Sequence, residues 1–364
     1  MIRVLQVYPQ INNAGTERVI FNIYENIDRD KVQFDFLVES FGELDNKIIS
    51  MGGKIHYVTA ENDREYYRLL CEFFNTHSEY KIIHTHTHAR MGLVLKAAKK
   101  CGVECRIAHS HNARNDLPRT AWIIKGLTSI PIEKSANAFF ACSSNAAKWL
   151  FPHIKNCHIL FNGIRVQDYL YNSSIRSVKR AELGLDESDF VMIHVGRFAR
   201  QKNHHFLMQI LNEYNKSNTQ WKILLVGVGP LLSEIKEAAK NLGLTSHIVF
   251  LGERNDVNEL LSASDLFLFP SLHEGLGIVV IEAQSSGLPC VVSDAVPNEA
   301  DMKLGLLSRL SLKESLDVWA KCINDKNKQR QDRTMFSSSI LNSSYNIESI
   351  GQYMENFYLS ECGL

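Results

Sequence analysis

Two glutamates, Glu274 and Glu282, frame the stretch of this chain whose residue types and spacing are best suited to chemistry. Between them, a turn of Gly275, Leu276 and Gly277 follows an apolar strand-like run and leads into an apolar helical segment. Such a turn offers backbone N–H groups and the positive end of a helix dipole, which together favour phosphate binding. At ~1.5 Å rise per residue the two carboxylates lie about 10–12 Å apart. They could therefore bracket a diphosphate that carries a sugar at each end.

Two cations lie in a loop that follows the strand-like run 190–195. Arg197 and Lys202 flank the start of the next helical segment, where they could converge on phosphate oxygens. Arginine would supply a bidentate fork and lysine a point charge. Gly196 frees the backbone at the strand end, and Asn203 is placed to cap the helix. Basic loop residues taken alone are more often solvated than functional, so position by itself leaves both a solvated loop and an anion site open.

The composition excludes several classes of protein. A length of 364 residues suggests about two domains, and 45% hydrophobic residues allow a full core in each. Forty basic and forty acidic residues cancel, so there is no general electrostatic case for binding nucleic acid. The eight cysteines contain no Cys-x2-Cys pair and indicate reduced core residues. With neither a signal peptide nor a bilayer-length apolar stretch, the expected location is the cytoplasm.

Short apolar runs alternate with longer helical patterns along the chain. This alternation predicts parallel sheets covered by helices on both faces, and two series of strands predict two doubly wound α/β domains. The predicted strands are 2–8, 33–38, 54–58, 80–86, 104–109, 138–142, 157–161, 190–195, 221–226, 247–251, 265–269 and 289–293. The predicted helices include 16–27, 64–76, 90–101, 203–215, 231–242, 277–286 and 346–360. The polar stretch 165–186 separates the two series and is interpreted as containing a linker.

The context of the two glutamates resembles a family signature. Pro270 and Ser271 precede the Gly-x-Gly turn, and Ser-Gly-Leu-Pro-x-Val-Val-Ser-Asp (286–294) follows it. An isolated Glu-x7-Glu would more often be two glutamates flanking a buried helix, but context makes a motif informative. The segment resembles retaining glycosyltransferases of the GT-B fold, in family 4 (glycosyl transferases group 1), and the resemblance covers nearly the whole chain. It implies two Rossmann-like domains that face each other across a cleft.

The same resemblance implies where the domains begin and end. Segment 162–164 (Asn-Gly-Ile) resembles the hinge of the family, although Arg165 replaces the usual aspartate. The implied domains are an acceptor-side domain at 1–165 and a nucleotide-sugar domain at 166–345. The C-terminal helical region 346–364 is expected to cross back to the first domain. A helix packed only on its own domain remains the alternative.

The resemblance also implies residue roles in the second domain. Glu274 would lie beside the transferred sugar, and Glu282 would hold the ribose hydroxyls. Arg197 and Lys202 would bind the diphosphate and stabilise charge on the departing β-phosphate. The implied catalytic residues are Glu274, Arg197, Lys202 and His111. The implied donor-binding residues are Gly15, Gly196, Gly229, Arg254, Gly275, Leu276, Gly277, Ile278 and Glu282.

Three further loops contribute residues to these sets. Gly229 belongs to a Gly-x-Gly-Pro loop that resembles the family's point of close donor approach, with simple tight turning as the alternative. Arg254 follows a strand end that the family places beside the nucleobase. The loop after strand 2–8 resembles the glycine-rich first loop of the family, where Ala14 replaces one glycine and Gly15 is retained. Thr16 is predicted to cap the following helix.

Histidines cluster near two strand ends of the first domain. The family places one histidine near the transferred sugar, and by position His111 matches it best, with His109 as the competitor. His84, His86 and His88 stand two apart on one strand face and could suggest a metal site. No carboxylate or cysteine spacing accompanies them, so they are interpreted as cleft-edge or packing residues. GT-B enzymes usually need no metal, and the nucleotide-diphosphate sugar is the only co-substrate expected, without a cofactor.

The resemblance implies a metal-independent hexosyltransferase. It would move a hexose from a nucleotide-diphosphate sugar, expected to be a UDP-sugar, to a hydroxyl of a glycan or lipid-linked glycan with retention of configuration. The segments 108–112 and 142–151 resemble bacterial capsule and exopolysaccharide transferases, so a growing surface polysaccharide is the expected acceptor. Two alternatives remain open: a sugar-nucleotide epimerase of the same architecture, and an inactive partner subunit of a polysaccharide-assembly complex.

One apolar segment bears on membrane association. Residues 119–132 (RTAWIIKGLTSIPI) combine a tryptophan and several isoleucines with two basic residues. A buried helix is the favoured interpretation because apolar helical stripes usually face the core. The alternative is a surface that docks peripherally at the inner face of the cell membrane, near a lipid-linked acceptor.

Overall fold

The chain forms two compact units, each built around a parallel sheet. The computed structural model describes residues 1–12, 15–87, 90–111, 129–161, 163–329 and 331–363. One unit comprises Met1–Ile164 with Ser344–Leu364, and the other comprises Arg165–Ser343. The α/β prediction with two Rossmann-like domains is therefore confirmed in each unit separately.

The sheet of the first unit has seven parallel strands in the order β3-β2-β1-β4-β5-β6-β7. The strands are β1 (Ile2–Val7), β2 (Val32–Val38), β3 (Ile55–Tyr57), β4 (Ile82–Thr85), β5 (Cys105–Ser110), β6 (Ala138–Ala141) and β7 (His158–Ile159). The helices are α1 (Gly15–Glu25), α2 (Asp45–Ser50), α3 (Asp63–Thr76), α4 (Met91–Lys100), α5 (129–135) and α6 (Ser144–Leu150). All seven residues of β2 are buried, as expected for a parallel strand covered on both faces.

The second unit has six parallel strands in the order β10-β9-β8-β11-β12-β13. The strands are β8 (Phe190–Val195), β9 (Trp221–Val226), β10 (Ile248–Gly252), β11 (Leu266–Phe269), β12 (Cys290–Ser293) and β13 (Leu307–Leu310). The helices are α7 (Ser173–Glu182), α8 (His204–Asn215), α9 (Leu232–Asn241), α10 (Val257–Ala263), α11 (Ile278–Ser285), α12 (Leu316–Lys328) and α13 (Ser337–Leu341). Apolar strand residues pack against helix residues on both faces of this sheet.

The last helix, α14 (Ile347–Glu361), belongs to the core of the first unit. Its Met354 and Tyr358 are fully buried and join the same apolar cluster as Phe34 of β2. Gly351 allows close approach to the first unit, because a Cβ there would lie 2.6 Å from the backbone oxygen of Asn26. The chain thus returns to its first sheet after completing the second.

The polar stretch 165–186, interpreted from sequence as containing a linker, begins at the boundary between the two units and folds as part of the second. It contains a short 3-10 helix, Val166–Tyr169, and then α7. Arg176 and Arg180 of α7 bond the carboxylate of Asp265, at 2.8 and 3.4 Å. The segment looks solvated in sequence because its packing groups are charged, but these charges are neutralised inside the second unit.

Some residues named in the sequence analysis lie outside the part of the chain that the structure describes. Of the apolar segment 119–132, residues up to 128 lie outside the described part, while Ser129 and Ile132 are buried. His88 and Ala14 also lie outside it. In the described ranges, none of the helices combines the length and apolar character needed to cross a membrane.

Candidate active site

The strand order brings two loops of the second unit to one point of the sheet edge. β8 pairs with β9 on one side and with β11 on the other, so the direction of winding reverses between β8 and β11. Open α/β sheets bind ligands beyond the carboxyl ends of strands at such a switch point. The loop after β8 and the loop after β11 are bonded together here, since Leu272 N donates to Gln201 O at 2.8 Å. Asn203 Nδ2 also donates to Pro270 O at 3.0 Å.

Lys202 and Glu274, both predicted from sequence, form an ion pair at this switch point. Lys202 Nζ lies 2.7 Å from Glu274 Oε1, and the two side chains are only 16% and 7% exposed. The Ser271 hydroxyl donates to the same carboxylate oxygen at 2.5 Å. Lys202 Nζ also lies 4.7 Å from the centre of the Phe269 ring. The cation and the carboxylate are therefore held in a partly desolvated pocket, where each polarises its surroundings more strongly than in water.

The glycines near the pair allow backbone segments to pack closely. A Cβ on Gly229 would lie 2.5 Å from Phe198 O, in the loop after β8. A Cβ on Gly196 would lie 3.0–3.2 Å from the methylene carbons of Lys202. Gly196 therefore lets the lysine stem cross the strand end. Gly229 is explained by the packing of two loops against each other.

The predicted glycine-rich turn opens helix α11. Gly277 occupies the N-cap position with φ +80°, a conformation that favours glycine, and no side chain caps the helix. Ile278 is the first helical residue, Leu276 is buried beneath the turn, and Gly275 is half-buried. The first N–H groups of a helix have no partner within it. A Cβ on Gly277 would lie 3.8 Å from Glu274 Cγ, so this N-terminus adjoins the Lys202–Glu274 pair.

Glu282 lies one turn inside α11 and has a partner that the sequence does not reveal. The hydroxyl of Tyr169 donates to Glu282 Oε1 at 3.0 Å. Burial raises the pKa of Glu282 to about 7, against the opposing effect of the tyrosine hydrogen bond. The carboxyl group therefore changes its charge near neutral pH. Burial, followed by the nearby Glu282 charge, also raises the pKa of Tyr169.

The two predicted arginines, Arg197 and Arg254, differ in whether their side chains already have partners within the protein. Arg197 is exposed, and no hydrogen bond or ion pair of its side chain is found within the described ranges. Arg254 instead bonds Asp256 through Nε at 2.7 Å and Nη2 at 2.6 Å. Lys179 reaches the same aspartate at 2.7 Å, and hydrogen bonds from Arg254 hold the pKa of Asp256 well below its usual range. The Arg197 side chain is therefore available to bind a ligand anion, whereas the guanidinium of Arg254 is already bonded within an ion-pair network of the protein.

Two capping predictions are wrong. Asn203 occupies the N-cap position of α8 but makes no side-chain cap, because its amide is bonded to Pro270 instead. Thr16 lies inside α1, which begins at Gly15. The helix starts one residue earlier than predicted, so threonine is past the capping position.

In the first unit, winding reverses between β1 and β4, and four histidines lie at the ends of β4 and β5. His84 Nε2 and His109 Nδ1 are 3.1 Å apart, and His86 Nδ1 and His111 Nε2 are 2.7 Å apart. The rings of His109 and His111 stack with centres 4.0 Å apart, and those of His84 and His86 are tilted by 31° with centres 4.3 Å apart. All four side chains are buried. The sequence predicted neither pairing.

This histidine tetrad (His84, His86, His109, His111) contains nitrogens that could approach a metal ion. One nitrogen each from His84, His86 and His109 lie within 4.8 Å of one another. Zinc would need them about 2.0–2.1 Å from one point, but two of the rings already share a hydrogen bond. Burial, followed by a neighbouring imidazole, lowers the pKa of His84 and of His109 well below the usual range. His84 and His109 are therefore neutral rings that share a hydrogen bond.

Comparison with known proteins identifies the family. The family model described as "Glycosyl transferases group 1" matches residues 175–303. The putative glycosyltransferase EpsF of Bacillus subtilis (strain 168) is 34% identical over 335 residues, which cover 88% of this chain and 86% of EpsF. The chain belongs to the glycosyl transferases group 1. It is therefore a glycosyltransferase.

Two further comparisons extend this result. The UDP-Gal:alpha-D-GlcNAc-diphosphoundecaprenol alpha-1,3-galactosyltransferase of Escherichia coli is 27% identical over 234 residues, 62% of this chain and 60% of that protein. The crystal structure of Anabaena HepE in complex with UDP has a TM-score of 0.81 at 20% identity, covering 99% of this chain and 100% of HepE. The likeness to HepE concerns the fold, which is the GT-B type.

The family match covers the second-unit site of this glycosyltransferase. Arg197, Lys202, Glu274 and Glu282 all lie within residues 175–303. Gly15 and His111 lie outside that range, in the first unit. Sequence reasoning missed the roles of two supporting residues. Ser271 could have been found, because it directly precedes the Gly-x-Gly turn in the segment that resembles the family signature. Tyr169 could not, because it lies in the polar stretch that was interpreted as containing a linker.

Proposed function

We propose that this glycosyltransferase moves a hexose from a UDP-sugar to a hydroxyl of a glycan or lipid-linked glycan in surface-polysaccharide synthesis, with retention of configuration. The observation that carries this proposal is the Lys202–Glu274 pair at the N-terminus of α11. UDP bound to HepE and the lipid-diphosphate acceptor in the name of the Escherichia coli relative support the substrate classes.

Lys202 changes partner in the proposed donor complex. In this structure its ammonium group is paired with Glu274. A diphosphate at the N-terminus of α11 would offer more negative charge than one carboxylate, and the helix dipole would favour it there. Lys202, with exposed Arg197, would then stabilise charge on the leaving β-phosphate. Glu274 would be released to accept hydrogen bonds from the transferred hexose.

Glu282 is the proposed ribose contact. Its ionised carboxylate can accept hydrogen bonds from two ribose hydroxyls, and the Tyr169 hydroxyl holds one of its oxygens in position. Because the pKa of Glu282 is about 7, the ionised form becomes dominant only above neutral pH. Donor binding should therefore strengthen as pH rises through that value.

Retention is proposed to follow front-face attack, with the leaving phosphate as the base. Double displacement needs a nucleophilic carboxylate about 5 Å from its acid partner. After Lys202 moves to the diphosphate, the Ser271 hydroxyl still donates to Glu274 Oε1, and this hydrogen bond weakens the carboxylate as a nucleophile. Its better use is to position the sugar and to balance positive charge that develops at the anomeric carbon.

Metal and cofactor independence are part of the proposal. Lys202, Arg197 and the N–H groups of α11 can supply the positive charge that a divalent cation supplies in other transferases. His111 is proposed to contact the hexose or the acceptor. Peripheral membrane association is proposed only as a consequence of a lipid-linked acceptor, and flotation with anionic liposomes at low and high salt tests it.

A nucleotide panel tests the proposed function. Thermal stability is measured with UDP, GDP, ADP and their hexose conjugates, since ligand at a hundred times its Kd stabilises the folded state by about 2.7 kcal/mol. UDP and one UDP-hexose should give the largest shifts. No shift with any nucleotide would indicate an inactive partner subunit, and isomerisation of a sugar nucleotide without acceptor would indicate an epimerase.

A further inference from the structure

Gln6 is an unusual residue for the middle of a buried strand. It lies in β1, at the switch point of the first sheet, and is 0% exposed. Its Oε1 lies 3.0 Å from His86 Nε2, and its Nε2 lies 3.3 Å from the hydroxyl of Tyr358 in α14. A buried amide is tolerated only where its groups are bonded. Here both ends of the amide lead into the histidine tetrad.

The first of these connections fixes where protons lie. The Gln6 oxygen can only accept, so His86 Nε2 must carry a proton. His86 is buried and packs against Tyr8 and His84, at ring distances of 4.4 and 4.3 Å. An imidazole with a single proton, placed at Nε2, accepts at Nδ1. His111 Nε2, 2.7 Å away, must therefore be the donor. The lone pair of His111 then lies at Nδ1.

The second connection runs in parallel. Gln6 Nε2 donates to the Tyr358 oxygen at 3.3 Å, and His84 Nδ1 lies 2.7 Å from the same oxygen. If the Tyr358 hydroxyl donates to His84 Nδ1, a neutral His84 carries its proton at Nε2 and donates to His109 Nδ1, 3.1 Å away. Burial holds the pKa values of His84 and His109 well below the usual range, so both rings stay neutral and each can donate at only one nitrogen.

We propose that Gln6 is the positioning residue that sets the tautomer of His111. Turning the amide by 180° would present an N–H to His86 and reverse every donor and acceptor in both connections. The orientation of one buried amide is thus coupled, through His86, to whether Nδ1 of His111 carries a lone pair or a proton. The functional consequence rests on the proposed contact of His111 with the hexose or acceptor, but the tautomer itself does not.

Imidazole 15N NMR on protein labelled at histidine tests the tautomer directly, with His111→Asn used for assignment. In the wild-type protein His111 should show a protonated Nε2 and a pyridine-like Nδ1. Gln6→Met orphans the buried His86 N–H, which is relieved if the proton moves to His86 Nδ1. The tautomer ratio of His111 should then shift by about tenfold towards Nδ1–H.

The matched control is Gln33→Met. Gln33 is also a buried glutamine of this sheet and donates to a tyrosine, Tyr24, at 2.6 Å, but among the described residues its side chain bonds no histidine. It should leave the His111 signals unchanged. Tyr358→Phe acts on the opposite end of the Gln6 amide and should shift His111 in the same direction as Gln6→Met. It keeps the test available if Gln6→Met does not fold.

Kinetics separate this inference from the proposed function. Gln6→Met should lower kcat by about tenfold and leave the donor KM nearly unchanged, whereas Gln33→Met should change neither. A wild-type His111 protonated on Nδ1, His111 signals that ignore Gln6→Met, or one equivalent of tightly bound zinc at the tetrad would overturn the inference. Absence of hexose transfer by wild-type protein would instead overturn the proposed function, because the NMR result does not depend on it.

Discussion

Replacing Lys202 with methionine should remove a catalytic charge and a structural charge at once. Lys202 Nζ lies 2.7 Å from Glu274 Oε1, and the Glu274 side chain is 7% exposed. The variant leaves that carboxylate without its cation, which should cost about 3 kcal/mol in free energy of unfolding. If Lys202 also stabilises the leaving phosphate, kcat should fall about a hundredfold, equivalent to ~3 kcal/mol at the barrier.

A second substitution separates the two losses. Adding Glu274→Gln to Lys202→Met removes the orphaned charge, so the double variant should recover most of the lost free energy of unfolding. Its kcat should stay at or below that of Lys202→Met, because no cation is restored. Urea unfolding measures the first quantity. The rate of UDP release with saturating acceptor measures the second.

Lys303→Met provides the control for this comparison. Lys303 is paired with Asp301 at 3.0 Å in the same unit, but it is 76% exposed, and exposed pairs contribute little. It should change neither kcat nor stability appreciably. Near-normal kcat in Lys202→Met would refute the proposal that Lys202 stabilises charge on the leaving β-phosphate. Recovery of kcat in the double variant would mean that the orphaned carboxylate, rather than the missing cation, impairs the enzyme.

The other predictions concern the remaining site residues. Arg197→Ala should lower kcat about a hundredfold without changing urea stability, because its side chain is exposed; a large loss of stability would contradict this. Glu282→Gln should mainly raise the donor KM and Glu274→Gln mainly depress kcat, and the reverse pattern would exchange their roles. Because folding raises the pKa of Glu282 to about 7, the folded state binds more protons than the unfolded state between its ordinary value and 7. Stability should therefore fall as pH rises through that window, and Glu282→Gln should flatten the decline. Activity should persist in EDTA, and complete loss that is restored by Mg2+ or Mn2+ would contradict metal independence.

Strands were the most predictable elements of this fold. Strands β8 and β9 match the predicted 190–195 and 221–226, because buried parallel strands are continuous apolar runs bounded by polar turns. The edge strand β13 was missed since it is only half-buried and includes Ser308 and Arg309. Helix α7 was missed because its buried residues are two cations, Lys179 and Arg180, whose partners Asp256 and Asp265 lie far along the chain.

In the site, too, features set by local sequence were predictable and contacts between distant segments were not. The sequence placed Lys202 and Glu274 at strand ends, and parallel strand order brings those ends together. It could not reveal the Tyr169–Glu282 bond, whose residues are 113 positions apart, or the Gln6–Tyr358 bond, which spans 352 positions. Such contacts depend on how distant segments pack, and local patterns do not record that. The helical cap predicted for Asn203 failed for the same reason, since a competing partner lies in the loop after β11.

Analysis of the transfer product tests the central claim most directly. The enzyme would be incubated with the UDP-hexose that stabilises it best and with a lipid-linked glycan acceptor, in EDTA. The anomeric 1H–1H coupling of the product would then be measured by NMR. The proposal predicts UDP release matched by a new glycosidic bond with the anomeric configuration of the donor. An inverted linkage, or a rearranged sugar nucleotide formed without acceptor, would contradict it.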